Sequence, residues 1–141
     1  MVVDSTEGGG AVERYHERMS QESSPEPRVV LVTAPAADEA SRLARGMLDA
    51  RLAACVNVIP GARSFYRWKG EVQEAEESLL LIKTTDARLE ELVEFIEREH
   101  SFDLPEFIVL DPEAVEHGYR DWLLHECAPP GDAAEGAADE A

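Results

Sequence analysis

Apolar and polar positions along the chain follow two patterns, and these divide its middle part into strands and helices. A run rich in β-branched residues at 28–33 predicts a strand that is buried on both faces or nearly so. Behind it, apolar side chains recur at helical spacing from Ala40 to Leu48, which predicts a helix capped by Asp38 and reaching about Leu52. The first unit is therefore a strand followed by a helix.

The centre of the chain predicts a long hairpin. An apolar run at 53–59 is closed by Pro60-Gly61, and the aromatic-rich stretch 62–68 follows as a second extended piece. Lys69-Gly70 supplies a turn, and 71–84 is the return strand. At about 3.3 Å per residue the return strand reaches roughly 45 Å, whereas a body of about 100 residues is only about 35 Å across. Part of the hairpin should therefore project, and because exposed strand edges invite pairing, we expect it to build an oligomer.

A second helix, a short strand and a terminal helix complete the pattern. The second helix is expected to be capped by Thr85 or Asp86 and to stop near His100. Residues 106–110 predict the last strand, and the sequence at 111–113, an acid, a proline and an acid, is typical of a helix start. Two β-α-β halves that meet at a hairpin predict a ferredoxin-like β-α-β-β-α-β sandwich of the α+β class, with a C-terminal helix.

Composition limits the folded domain to 28–127. Residues 1–27 and 128–141 are poor in large apolar side chains and rich in acids, glycine, serine or alanine, so we expect two disordered acidic tails. The formal net charge is −17, and the folded part of the chain is itself acidic. Because an acidic surface repels nucleic acid and anionic membrane, we expect neither as a partner. It attracts cations instead.

Two cysteines, Cys55 and Cys127, are the whole complement of the chain and form no Cys-x-x-Cys pair. A disulfide framework is not expected, and the absence of a signal-like or membrane-spanning apolar stretch agrees with a reducing cytoplasm. Cys55 lies in an apolar run without a cationic neighbour in sequence, so packing is the favoured interpretation and a nucleophilic role the distant alternative.

Several segments resemble the CutA family of divalent-cation tolerance proteins, over essentially all of 28–126. The most specific are the nonapeptide at 52–60 and the Ser-x-Tyr-x-Trp-x-Gly pattern at 64–70. The shorter matching positions are Thr33-Ala34-Pro35, Glu77, Lys83-Thr84-Thr85, His100, Pro105-Glu106, Tyr119 and Trp122. The resemblance implies a ferredoxin-like subunit in a tight homotrimer, similar in architecture to the nitrogen-regulatory PII proteins. It also implies binding of copper and other divalent cations and a link to metal-ion tolerance, and it brings no reaction.

Departures from the family pattern concern the metal ligands that the resemblance implies. Some members have a thiol where this chain has Val32 and a second histidine where it has Glu99. His100 therefore remains, Glu99 offers a carboxylate in place of an imidazole, and Glu106, close to His100 in sequence, completes the candidate metal site. A carboxylate and imidazole set suits Cu(II) or Zn(II) better than Cu(I). The alternatives are a histidine that caps a helix end and acids that are simply solvated.

A second hypothesis concerns Tyr66, Trp68 and Lys83. The two aromatic residues point to one face of their strand, where burial at a subunit contact is the simpler interpretation. Together with Lys83 they are also candidates to line clefts between subunits that bind a small anionic ligand. The sequence thus favours a homotrimeric divalent-cation-binding protein, with a PII-like trimeric sensor or scaffold as the alternative. We expect no organic cofactor and no enzymatic activity in either case. The protein partner, if there is one, is unidentified.

Overall fold

The computed structural model describes residues 24–129, in which strands and helices follow one another in the predicted order. The two expected acidic tails lie for the most part outside these residues. The elements are β1 (Pro27–Ala34), α1 (Ala37–Asp49), β2 (Cys55–Trp68), β3 (Glu71–Thr85), α2 (Leu89–Glu99), β4 (Ile108–Leu110) and α3 (His117–Glu126), with a short 3-10 turn at Asp86–Arg88 before α2.

The four strands form one antiparallel sheet in the order β2-β3-β1-β4. In chain order, α1 connects β1 to β2 at the edge of the sheet, and the hairpin connects β2 to β3. Helix α2 then connects β3 to β4 at the opposite edge. This is the ferredoxin-like α+β sandwich that the order of elements predicts.

One face of the sheet carries the hydrophobic core. Along β1 and β3 buried residues alternate with half-buried ones, as expected for a strand whose two faces have different surroundings. The helices contribute one apolar stripe each, and burial of a single large aliphatic side chain stabilises by about 1.5–3 kcal/mol. The fully buried members are Val30, Val32, Ala34, Ala40, Leu43, Met47, Leu80, Ile82, Leu92 and Ile96.

The opposite face of the sheet has no cover from α1 or α2. Its side chains are half-buried or exposed in the single copy, and the last strand adds Ile108 and Leu110, which are nearly half exposed. We call this surface the open face. In the described part of the chain it comprises Val29 and Leu31 of β1, Leu79, Leu81 and Lys83 of β3, and Cys55, Asn57 and Ile59 of β2.

The central hairpin projects as predicted. Residues 78–85 of β3 pair with β1, whereas 71–77 pair with β2 alone. The turn at Lys69-Gly70 is confirmed, and its two residues have φ angles of 53° and 84°, as a two-residue hairpin turn with left-handed geometry requires. Within residues 24–129 the far half of the hairpin therefore has no third strand beside it.

Pro60-Gly61 does not close a strand, which corrects the sequence interpretation. β2 continues through these residues, and the pairing register shifts between Ile59 and Ala62 while β3 advances by two residues. Gly61 has a φ of 82°, which permits this β-bulge. The extra residue inverts the alternation, so Tyr66 and Trp68 lie on the same side as the open face.

The predicted side-chain caps of α1 and α2 are wrong, although Thr85 is the N-cap residue of the 3-10 turn that leads into α2. Ala36 is the N-cap of α1, and Asp38 makes no side-chain cap there. Asp86 lies in the 3-10 turn, where it accepts a hydrogen bond from the backbone N–H of Glu26 at 3.0 Å and pairs with Arg28 at 3.6 Å. A side chain that is committed to such a long-range contact is not free to cap the next helix.

The terminal helix begins five residues later than the sequence indicates. Asp111 pairs with Arg28 at 3.2 Å, and α3 starts at His117, where the carboxylate of Glu116 accepts the Tyr119 backbone N–H at 2.8 Å. The last strand is also shorter than 106–110, since only its final three residues pair with β1. No helix within 24–129 is long and apolar enough to cross a membrane.

Candidate functional site

His100 follows the last turn of α2, and its imidazole is fully buried. The backbone N–H of Phe102 donates to Nδ1 at 3.0 Å, which places the ring proton on Nε2, and Nε2 donates to the carbonyl oxygen of Thr33 at 2.7 Å. The ring of Phe102 lies 4.8 Å away, centroid to centroid. Both ring nitrogens are thus engaged in hydrogen bonds within the chain.

Glu39 of α1 approaches the same loop. Its carboxylate accepts two hydrogen bonds from Ser101, one from the backbone N–H and one from the hydroxyl, each at 2.8 Å. Burial raises the pKa of Glu39, but the Ser101 hydrogen bonds and the nearby His100 and Arg42 outweigh it, so its pKa lies below the ordinary value. Glu39, His100 and Ser101 therefore join α1, the loop after α2 and β1.

Glu99 faces the other way. Its carboxylate pairs with Arg42 of α1 and with Arg98, both at 3.2 Å, and its side chain is exposed to solvent by about a third. The Arg42 guanidinium also donates to the Glu99 carbonyl oxygen at 2.9 Å. This is the arrangement of an ion pair that joins two helices, and it leaves Glu99 apart from the buried imidazole next to it.

Glu106 lies just before β4, close to a second carboxylate. It is half-buried, and burial first and the charge of Glu77 second raise its pKa above the ordinary value. Glu77 is itself buried and accepts a hydrogen bond from the Ser64 hydroxyl at 2.6 Å. A half-buried acid beside a buried acid is a local excess of negative charge, which is the setting that a divalent cation relieves.

The three predicted metal ligands do not form a preformed set. Across residues 24–129 no group of three or more histidine, cysteine, aspartate or glutamate side chains is placed to hold a metal ion. His100 uses both nitrogens, Glu99 binds arginines, and Glu106 neighbours Glu77. Metal ligation by these residues stays a prediction.

Lys83 lies opposite Cys55 in the β2–β3 ladder. Its ammonium donates to the side-chain oxygen of Asn57 and lies 3.9 Å from the Cys55 sulfur. The structure therefore joins Lys83 to Asn57 within one chain and sets a cation beside a thiol.

Tyr66 and Trp68 share the side of Lys83 but not its location. Both rings are nearly half exposed on the projecting half of the hairpin. Tyr66 is eleven residues along β2 from Cys55, the residue opposite Lys83, which corresponds to roughly 36 Å of extended chain. These three side chains can therefore line one cleft only if two copies of the chain contribute to it.

Two features of the site escaped the sequence analysis. The contact of Glu39 with His100 and Ser101 joins residues about 60 positions apart, and the proximity of Glu77 to Glu106 depends on how β4 is placed across β1 from β3. The sequence signal that could have indicated the Glu39 contact was the acid in the first turn of a helix whose one face lies against the sheet.

The fold and the site together define the class of protein: a ferredoxin-like subunit with a projecting hairpin, an open sheet face and paired carboxylates. A family model described as CutA1 divalent ion tolerance protein matches residues 28–126. The chain belongs to this CutA1 family, as the resemblance in its sequence indicated.

Curated relatives and solved structures agree with this assignment. The chain is 43% identical over 95 residues to the divalent-cation tolerance protein CutA of Thermus thermophilus, covering 67% of this chain and 92% of that protein. The solved structure of the Thermus thermophilus Cut A1 protein superposes with a TM-score of 0.71 at 40% identity, over 72% of this chain and 99% of that one. CutA1 from Oryza sativa gives a TM-score of 0.72 at 39% identity, covering 75% and 96%.

Proposed function

We propose that this protein is a homotrimeric divalent-cation-binding protein linked to metal-ion tolerance, with copper or zinc as the divalent ion. Membership of a divalent-ion tolerance family supports the class. Within the chain, the observation that carries the cation proposal is the half-buried Glu106 beside the buried Glu77. Carboxylate oxygens are suitable ligands for divalent ions, and a bound cation would neutralise the like charges.

The open face supports assembly. It is rich in aliphatic side chains, and the projecting half of the hairpin adds the aromatic residues Tyr66 and Trp68 beside it. Apolar surfaces of this extent usually mark interaction sites, and aromatic residues are enriched in the centres of interfaces. A hairpin edge without a third strand is also available for pairing with a second copy.

Assembly is tested with two matched apolar positions. Ile59 lies on the open face and is 44% exposed, while Leu48 lies on α1 and is 42% exposed. Ile59→Glu should dissociate the oligomer in dilute solution, as measured by size-exclusion chromatography with light scattering, and Leu48→Glu should not. A wild-type protein that runs as a stable monomer would contradict the trimer, whereas an Ile59→Glu variant that keeps the oligomeric mass would contradict the open face as its interface.

Metal binding is tested by titrating Cu(II) or Zn(II) into chelator-treated protein in a calorimeter. Glu106→Gln should lose most of the binding, and the exposed Glu97→Gln should match the wild type. His100→Ala distinguishes a metal site that includes the His100 imidazole from one that is made of carboxylates alone. Weaker binding in this variant would mean that the metal displaces the hydrogen bonds of His100, whereas unchanged binding would restrict the site to carboxylates. Equal binding by all variants would overturn the assignment of these residues.

The alternative is a PII-like sensor or scaffold that binds a small anionic ligand between subunits and signals to an unidentified protein partner. The observation in its favour is that Lys83, Tyr66 and Trp68 lie on one side of the hairpin but far apart along it. A cleft that contains all three must therefore lie between neighbouring copies, as this alternative requires. Thermal-shift screening of nucleotides and carboxylates on metal-free protein tests it. A ligand at 100 times its dissociation constant should add about 2.7 kcal/mol of apparent stability to the wild type, and less to Lys83→Met.

We also propose binding rather than catalysis and a cytoplasmic location. The family description names ion tolerance and no reaction. Cys55 and Cys127 are both free thiols, which agrees with a reducing compartment. Fractionation of the source cells, followed by immunodetection of the untagged protein, tests the location.

A further inference from the structure

Two exposed side chains on α3 form a pair that the proposed function does not use. The imidazole of His117 and the carboxylate of Asp121 are four residues apart, and Nε2 lies 3.4 Å from Oδ2. Residues four apart lie on the same side of a helix, and helical side chains lean toward the N-terminus, so Asp121 leans back toward His117. An imidazole nitrogen and a carboxylate oxygen are thereby held side by side at the surface.

We propose that His117 and Asp121 form a solvent-exposed chelate for a divalent transition-metal ion, with Cu(II) and Zn(II) as suitable occupants. Both ions accept imidazole nitrogen and carboxylate oxygen as ligands. The remaining coordination positions face the solvent and are open to water. This inference goes beyond the proposed function, because it adds a second site that shares no residue with the one at Glu106 and does not depend on it.

The separation of the two donor atoms fits a single ion. Zn(II) binds imidazole nitrogen at about 2.0–2.1 Å and carboxylate oxygen at about 2.0–2.2 Å, usually in tetrahedral geometry. Two such donors around one tetrahedral ion are about 3.4 Å apart. The pair on α3 already has this separation, so chelation requires no repacking of the helix. Helical zinc sites also use ligands at this spacing of four residues.

Both side chains are available to an ion. That of His117 is 87% exposed and that of Asp121 is 61% exposed. Within residues 24–129 neither side chain forms another ion pair or hydrogen bond. This distinguishes the pair from His100, whose two ring nitrogens are both hydrogen-bonded, and from Glu99, whose carboxylate is bound by arginines. No existing contact of comparable strength has to be broken when a metal binds.

The pair lies on the side of α3 that faces away from the body of the domain. Leu123 is the buried residue of the helix, and Cys127, which follows its last turn, is buried too. At about 100° per residue, His117 and Asp121 lie roughly 120° and 160° around the helix from Leu123. The open face is formed by strands, so the proposed contact between copies does not require this side of α3.

His125 is the competing imidazole on the same side of the helix. It lies four residues beyond Asp121 and is half-buried. His117 and His125 are eight residues apart, which corresponds to about 12 Å along the helix axis, so one ion cannot bind both. Asp121 makes its ion-pair contact with His117, and this contact selects the first of the two possible pairs.

The pair is expected to hold its ion more weakly than the site proposed at Glu106. It places one carboxylate in water, whereas Glu106 and Glu77 place two carboxyl groups in a half-buried setting. Attraction between charges is stronger in less polar surroundings. The chelate on α3 should therefore fill at the higher metal concentration, as a weaker binding event.

The first test is a calorimetric titration of Cu(II) into the chelator-treated, full-length protein, continued until the weaker event is complete. His117→Ala and Asp121→Asn should each weaken this event about tenfold or more, since even the loss of a residue that only supports a ligand weakens metal sites by about 10–100-fold. His125→Ala and the exposed Asp49→Asn are the matched controls and should titrate like the wild type. Asp121→His should bind more tightly, because Cu(II) suits imidazole ligands.

Hydrogen exchange gives a second measurement that is local to α3. An ion that bridges His117 and Asp121 joins successive turns of the helix and binds only its folded form. Zn(II) should therefore slow amide exchange in α3 of the wild type, and it should not do so in Asp121→Asn. An ion that is held elsewhere on the acidic surface gives no such difference between the two proteins.

Glu106→Gln separates this inference from the proposed function. In that variant the weaker event and the slower exchange of α3 should persist, whatever happens to the tighter event. The chelate is overturned if the wild type shows no event that His117→Ala and Asp121→Asn weaken, or if His125→Ala is the variant that loses it. It is also overturned if Zn(II) leaves the exchange of α3 unchanged in the wild type, or slows it equally in Asp121→Asn.

Discussion

The imidazole of His100 and the carbonyl oxygen of Thr33 lie 2.7 Å apart, and this hydrogen bond joins the end of α2 to β1. The backbone N–H of Phe102 occupies the other ring nitrogen. A buried imidazole whose two nitrogens both form hydrogen bonds has a structural role whether or not it binds a metal. The same residue is thus a candidate ligand by family resemblance and a helix-end anchor by geometry, and stability measurements separate the two roles.

His100→Ala should lower the free energy of unfolding by about 1–3 kcal/mol, because it leaves the Thr33 carbonyl and the Phe102 N–H without their partner in a buried position. Urea denaturation of metal-free protein measures the loss. His117→Ala is the control, since that imidazole is 87% exposed and should change stability little. A His100→Ala variant with the wild-type urea midpoint would mean that the anchor contributes nothing.

Glu39 makes stability depend on pH in the acid range. Its pKa in the folded state is below the ordinary value of 4.5, so the unfolded chain binds the proton more tightly. Its contribution is therefore present above the unfolded pKa and is lost as the pH falls through the folded one. Glu39→Gln should be less stable than the wild type at pH 7, and the difference should shrink below about pH 4.

Thermal melts of both proteins between pH 3 and 7 measure this effect. The exposed Glu97→Gln serves as the control for loss of one surface charge. A constant difference between Glu39→Gln and the wild type over the whole range would show that the Ser101 hydrogen bonds do not require an ionised Glu39.

The fold could be predicted from the sequence because its signals are local. Alternating burial along β1, the apolar stripes of α1 and α2 and the turn at Lys69-Gly70 all follow from residues within a few positions of one another. The helix starts were harder to predict. Asp86 and Asp111 are residue types that cap helices, but each forms an ion pair with Arg28 instead. These tertiary contacts, and not the local sequence, decide the role of both side chains.

The site depends on register, which the sequence does not display. Lys83 meets Cys55 because β2 and β3 pair them across 28 residues, so the absence of a cationic neighbour in sequence was misleading. The bulge at Gly61 is a second example. Simple alternation from Ile59 would put Phe65 on the side of the open face, and one extra residue puts Tyr66 there instead.

Glu106 gives a pH dependence of the opposite sign from that of Glu39. Its folded pKa is raised, by burial and by Glu77, so its stabilising contribution is present below the ordinary value of 4.5 and is lost as the pH rises through the folded pKa. Glu106→Gln should therefore equal or exceed the wild type in stability at pH 7, and this advantage should disappear near pH 4.

Divalent ions distinguish this effect from simple charge removal. Added Zn(II) should raise the melting temperature of the wild type at pH 7 and should raise that of Glu106→Gln less, because the variant lacks the carboxylate that the cation would neutralise. A destabilised Glu106→Gln variant at pH 7 without metal would contradict the sign of the shift.

Gly46 and Phe95 give a prediction about packing between α1 and α2. Glycine within a helix normally costs about 1 kcal/mol relative to alanine, so Gly46→Ala would stabilise an isolated helix. Here a Cβ at Gly46 would lie 2.6 Å from Cζ of Phe95, which is too close. Overpacking of this kind costs about 1–3 kcal/mol, so we expect Gly46→Ala to be destabilising in the wild-type background.

Removing the ring should reverse that sign. In a Phe95→Leu background the clash disappears and Gly46→Ala should become stabilising, by up to about 1 kcal/mol. Urea denaturation of the four proteins in this double-mutant cycle measures the coupling between the two positions. If Gly46→Ala stabilises both backgrounds equally, the helices separate at little cost and their spacing is set by other contacts, such as the bonds from Arg42 to Glu99.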